Sequence, residues 1–138
     1  MSSFQRDPAN ANGGGEIVVS AISRYLPEAS ALSQPDDTRY VFAYTIDIEN
    51  RSERTVKLLS RHWWITDARE NLREVEGPGV VGQQPVLRPG ETFRYSSWCT
   101  LPTASGWMRG VYWMIAESSE LIEVHIPTFR LSTPQALN

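Results

Sequence analysis

Between Tyr40 and Asn50 the chain alternates without a break. Phe42, Tyr44, Ile46 and Ile48 share one parity, and Val41, Ala43, Thr45, Asp47 and Glu49 share the other. Successive side chains of a strand point to opposite faces, so this run reads as a strand with one face on a core and one toward solvent. No window keeps apolar residues at helical spacing over three turns. The period of two recurs at Glu16 to Ile22, at Glu91 to Thr100 through Phe93, Tyr95, Ser97 and Cys99, and at Leu121 to Ile126, where Ile122, Val124 and Ile126 read as inward. Gly106 to Ala116 is apolar on both faces. Arg24 to Thr38 reads as a polar connection, Asp67 to Asn71 as a hairpin turn into Leu72 to Glu76, and Pro89-Gly90 as a turn. Pro127 cannot donate to a ladder, which predicts an edge strand or a bulge at that point.

The parity of Thr55 to Thr66 changes midway: Val56 and Leu58 are in one register, Trp63 and Ile65 in the other. A bulge near Ser60 puts all four on one face and sends His62 and Trp64 outward. About seven short strands with turn signals between them predict an all-β, antiparallel sandwich; a small barrel is the alternative. The absence of a βαβ alternation argues against a parallel nucleotide-binding fold.

The chain's 138 residues suit one domain. Residues 1–15, polar and Asn/Gly-rich, read as a disordered lead-in, residues 16–133 as the domain, and residues 134–138 as a frayed end. The lead-in holds no apolar run of the kind a secretory signal needs, and no segment is apolar over the length of a membrane span. With Cys99 as the lone cysteine, the expected compartment is the cytoplasm. Thirteen basic against sixteen acidic residues (net charge −3) predict no bulk attraction to nucleic acid or to an anionic membrane.

Gly77-Pro78-Gly79-Val80-Val81-Gly82 is a literal G-x-G-x-x-G. A dinucleotide fingerprint needs a helix after it, and Pro85 and Pro89 forbid one. The glycines read first as a structural loop. Their alternative is an anion cradle of backbone N–H groups at Gly77, Gly79 and Gly82, with Arg61 and His62 supplying charge. A metal site would need His62 and His125 to converge with Asp67, Glu123 or Cys99, and no local ligand spacing points to one, so neither metal nor cofactor is expected. Cys99 shares a face with Phe93 and Tyr95 and reads as a buried, inert thiol. No nucleophile elbow or paired-carboxylate spacing stands out, so no catalytic residue is assigned. Trp107, Val111 and Trp113 share one parity; if that face meets solvent, they form an apolar patch for a protein partner or a second copy.

Five fragments in one order, Tyr40 to Tyr44, Leu58 to Trp63, Gly77 to Pro85, Leu87 to Glu91 and Ile126 to Leu131, resemble the bacterial ApaG family over Glu16 to Thr133. Trp64 and Trp98 stand where smaller or aliphatic residues are expected of such a chain. The resemblance implies an immunoglobulin-like or fibronectin type III sandwich. It also implies an accessory part in cobalt and magnesium resistance or efflux, and a genetic association with diadenosine tetraphosphate hydrolysis. Related domains in eukaryotic F-box proteins and in a DNA polymerase delta interacting protein imply protein binding. The glycine motif implies pyrophosphate or nucleotide binding. The leading expectation is a non-enzymatic interaction module, and the alternative is a nucleotide or pyrophosphate domain.

Overall fold

A computed structural model describes residues 17–31 and 39–137. Eight strands run in chain order: β1 (Ile17–Tyr25), β2 (Tyr40–Asn50), β3 (Val56–Asp67), β4 (Leu72–Pro78), β5 (Val86–Leu87), β6 (Thr92–Leu101), β7 (Ser105–Ala116) and β8 (Leu121–Ser132). All strand pairs are antiparallel. One sheet has the order β1-β2-β6; the other has the order β4-β3-β7-β8, with β5 beside β3. The two form an antiparallel sandwich.

The alternating residues of β2 fill the core as their parity requires: Phe42, Tyr44, Ile46 and Ile48 are all buried. The other sheet answers with Trp63, Ile65, Met108, Tyr112, Met114, Ile122, Val124 and Ile126. β3 pairs Leu58 with Met114 and then Ser60 with Trp113, so Leu59 is an extra, bulged residue. That one residue restores the parity, and Val56, Leu58, Trp63 and Ile65 are buried together. At Pro127 both sequence readings hold. β8 is an edge strand, and Pro127 and Thr128 lie in the register shift between the Met108–Phe129 and Gly110–Ile126 pairs.

One local expectation is corrected. β1 continues to Tyr25, where a connection was expected, because each residue to Tyr25 still finds a β2 partner, ending at Phe42. A one-turn helix, α1 (Pro27–Ser30), follows it, with Pro27 at its start; the Ser30 hydroxyl donates to the Leu26 carbonyl and accepts the Val41 N–H. At the C-terminus, Gln135–Leu137 form a 3-10 turn in which the Ala136 N–H donates to the Thr133 carbonyl. The lead-in over residues 1–15 and Asn138 lie outside the described residues. Among the described residues no helix is long and apolar enough to cross a membrane.

The long sides of the sandwich differ. On one, β1 and β8 abut, with the Ser23 hydroxyl donating to the Arg130 carbonyl. On the other, β4 and β6 stay apart and leave a cleft between the sheets.

Candidate binding faces of strand β3

Strand β3 serves two surfaces at once. After the bulge, Arg61, Trp63 and Ile65 point inward and Ser60, His62, Trp64 and Thr66 point outward. This separates Arg61 from His62. The joint anion handle expected of the two does not form, because neighbours in a strand face opposite ways.

Arg61 enters the cleft. Its Nη1 donates to the carbonyls of Pro78 (3.0 Å) and Gly79 (3.1 Å). Gly77 stands opposite Arg61 in the β3–β4 ladder, and a Cβ on it would lie 3.0 Å from Nη1, so any larger residue there would crowd the guanidinium in this position. Around it are Tyr44, Trp63, Ser97 and, farther along, Arg73, Trp98, Cys99 and Thr100. Arg73 crosses from β4 to β6 and donates from Nη2 to the Thr100 carbonyl (3.0 Å) and toward the Cys99 sulfur (3.4 Å). Burial pushes the Cys99 thiol up, with Arg73 pulling against it, so the group stays a protonated, buried thiol. Burial likewise raises the phenols of Tyr44, Tyr95 and Tyr112, and all three keep their protons. Tyr95 and Tyr112 hydrogen-bond to each other.

The glycine segment is a tight hairpin docked on the bulge. Val80 and Gln83 exchange backbone hydrogen bonds of 2.8 Å each around Val81 (φ 42°) and Gly82 (φ 79°). Gly79 has φ 64°, and a Cβ there would stand 2.3 Å from the Gln83 carbonyl oxygen. Its N–H donates to the Leu59 carbonyl (2.9 Å), which also accepts the Gln84 side-chain amide (2.9 Å). The amides of Gly79, Val80 and Gln83 are therefore committed to backbone carbonyls. What the loop turns toward Arg61 is the carbonyl oxygens of Pro78 and Gly79, and of the amides expected to form a cradle that of Gly79 is already engaged by Leu59. Val80 is buried and pins the hairpin into the core.

The outer face is built by β4, β3, β7 and β8. His62 lies between two carboxylates, with Nε2 2.8 Å from Glu74 and Nδ1 3.4 Å from Glu76. It stacks on Trp64 at 3.8 Å between ring centroids, and the Arg109 guanidinium lies 4.7 Å from the Trp64 ring on the same face. Trp107 is 48% exposed and Trp113 39% exposed, whereas Val111 is only 7% exposed. Val111 is thus corrected out of the expected patch. It shares the outer face, but it sits in the central part of the sheet, with His62 of β3 and His125 of β8 as its cross-strand partners. The two histidines are two strands apart, about 10 Å between backbones, and His125 has its own carboxylate neighbour, Glu123, at 3.3 Å. Among the described residues no three His, Cys, Asp or Glu side chains are arranged to hold one metal ion.

A family model described as the ApaG domain matches residues 30–116. The chain belongs to the ApaG family. A Protein ApaG of Rhodospirillum centenum is 55% identical, over 86% of this chain and 88% of its own. A Protein ApaG of Beijerinckia indica is 48% identical, over 89% of this chain and 95% of its own. The crystal structure of a Bordetella pertussis protein described as ApaA superposes with a TM-score of 0.80 at 48% identity, covering 87% of this chain and 95% of that one. The ApaG relatives thus span nearly the whole described domain, both faces of β3 included.

Sequence reasoning missed three working residues. Arg73 lies in an unremarkable stretch, and only the gap between β4 and β6 gives it a role. Arg109 and Arg130 carried no motif; Arg130 stands 5.5 Å from the Trp107 ring.

Proposed function

We propose that this ApaG domain is a non-enzymatic, cytoplasmic interaction module that works through the outer face of its larger sheet, and that a second copy of the chain fits that face. The observation that carries the reading is the outer row of Trp107 and Trp113 on β7, half open to solvent and flanked by charges of opposite sign. Glu123 pairs with Trp113 and Arg130 with Trp107 across the β7–β8 ladder. A second copy turned end for end on this face sets Trp113 over Trp107 and Glu123 over Arg130, twice. Tryptophan and arginine at the centre of a contact, with charges fixing its register, are what tight protein contacts are made of. The order β1-β2-β6 against β4-β3-β7-β8 supports the immunoglobulin-like or fibronectin type III assignment. A role in cobalt or magnesium resistance would be exerted through the bound partner.

Sedimentation equilibrium tests it. The wild-type chain is expected to dimerise with concentration. Glu123→Arg and Arg130→Glu alone each weaken the dimer about tenfold or more, and the double charge swap restores it. Trp113→Ser weakens it without loss of the β-sheet circular dichroism. A chain that stays monomeric at millimolar concentration overturns the reading.

A further inference from the structure

The outer face absorbs the tryptophans and leaves the charges of the inner cleft unexplained. Arg51, Arg54 and Arg94 each meet a carboxylate. Among the described residues, Arg61 and Arg73 hydrogen-bond only to neutral groups: two carbonyls for the first, a carbonyl and a sulfur for the second. This happens in a chain with more acids than bases, sixteen against thirteen, so a shortage of carboxylates is not the cause.

Both cations line one cleft of about 300 Å³ at the open side of the sandwich. Arg73 stands opposite Ile65 and Arg61 opposite Gly77, four residues apart on the same inward parity, roughly 13 Å along the ladder. Two long side chains reaching toward each other close most of that distance. Trp63 and Val75 make an apolar floor between them, and Tyr44, Ser97 and Thr100 bring hydroxyls from the neighbouring sheet. The posture of Arg61 is built in: Gly77 clears the space, and two carbonyls hold Nη1. Nε and Nη2 are left for something else.

We infer that this cleft binds a small oxyanion, a phosphate or carboxylate group, gripped by Arg61 and Arg73 with Tyr44 and Ser97 as neutral donors. A guanidinium presents a planar fork that matches two oxygens of such a group at once. The volume stands at the small end of ligand sites, which suits an inorganic phosphate or a short di-acid. The glycine hairpin shapes one end of the groove through Pro78, Val80, Val81 and Gly82 and supplies no charge. The site shares no residue with the outer face, so it stands or falls apart from self-association.

The test follows the guanidinium Nε–Hε resonances of Arg61 and Arg73 in ¹⁵N-labelled protein. Inorganic phosphate is titrated in one arm and succinate in the other, with chloride at matched ionic strength as the control. Saturable shifts at both arginines in either arm, absent with chloride, are the expected result, and the tighter arm distinguishes phosphoryl from carboxylate ligands. Arg61→Gln and Arg73→Gln each weaken binding about tenfold, while Arg51→Gln, in the turn after β2 and outside both the cleft and the outer face, leaves it unchanged. Arg73 is exposed, so its variant keeps the test open if Arg61→Gln misfolds. Absence of saturation in both arms, an equal drift with chloride, or unchanged affinity in Arg73→Gln overturns the inference.

Discussion

Trp63 and Trp64 are adjacent in sequence and live in different environments. Trp63 is sealed in the core against Tyr44 and Phe129, with ring centroids 5.5 and 6.0 Å away. Trp64 lies on the opposite face between the His62 ring and the Arg109 guanidinium. One holds the sheets together; the other helps make a surface. Aromatic content therefore says little about burial in this chain, and position relative to the β3 bulge says nearly everything. The inner face also carries a polar cleft at its open edge, so "inner" is not the same as apolar.

The contrast can be broken by truncating each indole. Trp63→Ala is expected to lower the unfolding free energy by about 4 kcal/mol, the range for emptying a large aromatic site. Trp64→Ala should cost about 1 kcal/mol, because it loses only a stack and a cation–π contact at a partly wet site. Urea unfolding of the two variants measures both, and equal losses would show that the faces are not distinct.

A smaller effect sharpens the same picture. Gly110 faces Trp63 across the β3–β7 ladder, and a Cβ on it would stand 2.5 Å from the His62 carbonyl and 3.0 Å from the Trp63 ring. Gly110→Ala should cost about 2 kcal/mol by overpacking. Thermal unfolding reads it, and Trp63→Ala should relieve only the ring's part of that cost, because the His62 carbonyl at 2.5 Å stays in place.

The smallest effect lies at the end of β3. The Asp67 carboxyl is held below its ordinary range by the backbone N–H of Asn71 first, then by the Asn71 side chain and the Arg69 N–H. The unfolded chain takes up that proton near pH 4, before the folded one does. Asp67 thus stabilises the fold fully above about pH 5 and less as the pH falls through its lower folded value. Melting temperatures followed downward from neutral pH should fall less steeply for Asp67→Asn than for wild type.

The sandwich was legible because β2 and β6 alternate without interruption, β8 alternates up to Pro127, and the turns carry their own glycines and prolines. Even the β3 bulge showed, as a change of parity between Leu58 and Trp63. The grouping of Arg61 with His62 failed for the reason the strand succeeded: period two sends neighbours apart, and a motif read along the chain ignores it. Arg73 was invisible because its meaning comes from β6, some twenty-five residues away in sequence, whose Thr100 carbonyl it reaches. Val111 was misplaced because alternation assigns a face, whereas burial depends on the strands that pair on either side, here β3 and β8. Asn50 was missed too. It is buried and hydrogen-bonds to Arg54, Leu87 and Ser52, a staple that no pattern of hydrophobicity announces.

Leu59 does more than interrupt a ladder. It sets the phase of everything after it in β3, and its carbonyl anchors the glycine hairpin. Removing this one residue would advance the strand by a half-period, turning Arg61 and Trp63 to solvent and driving His62 and Trp64 into the core. β3 therefore has a fixed count. Changes of chain length are expected to survive in the turns, such as Arg51 to Arg54, and to be lethal to the fold between Val56 and Asp67.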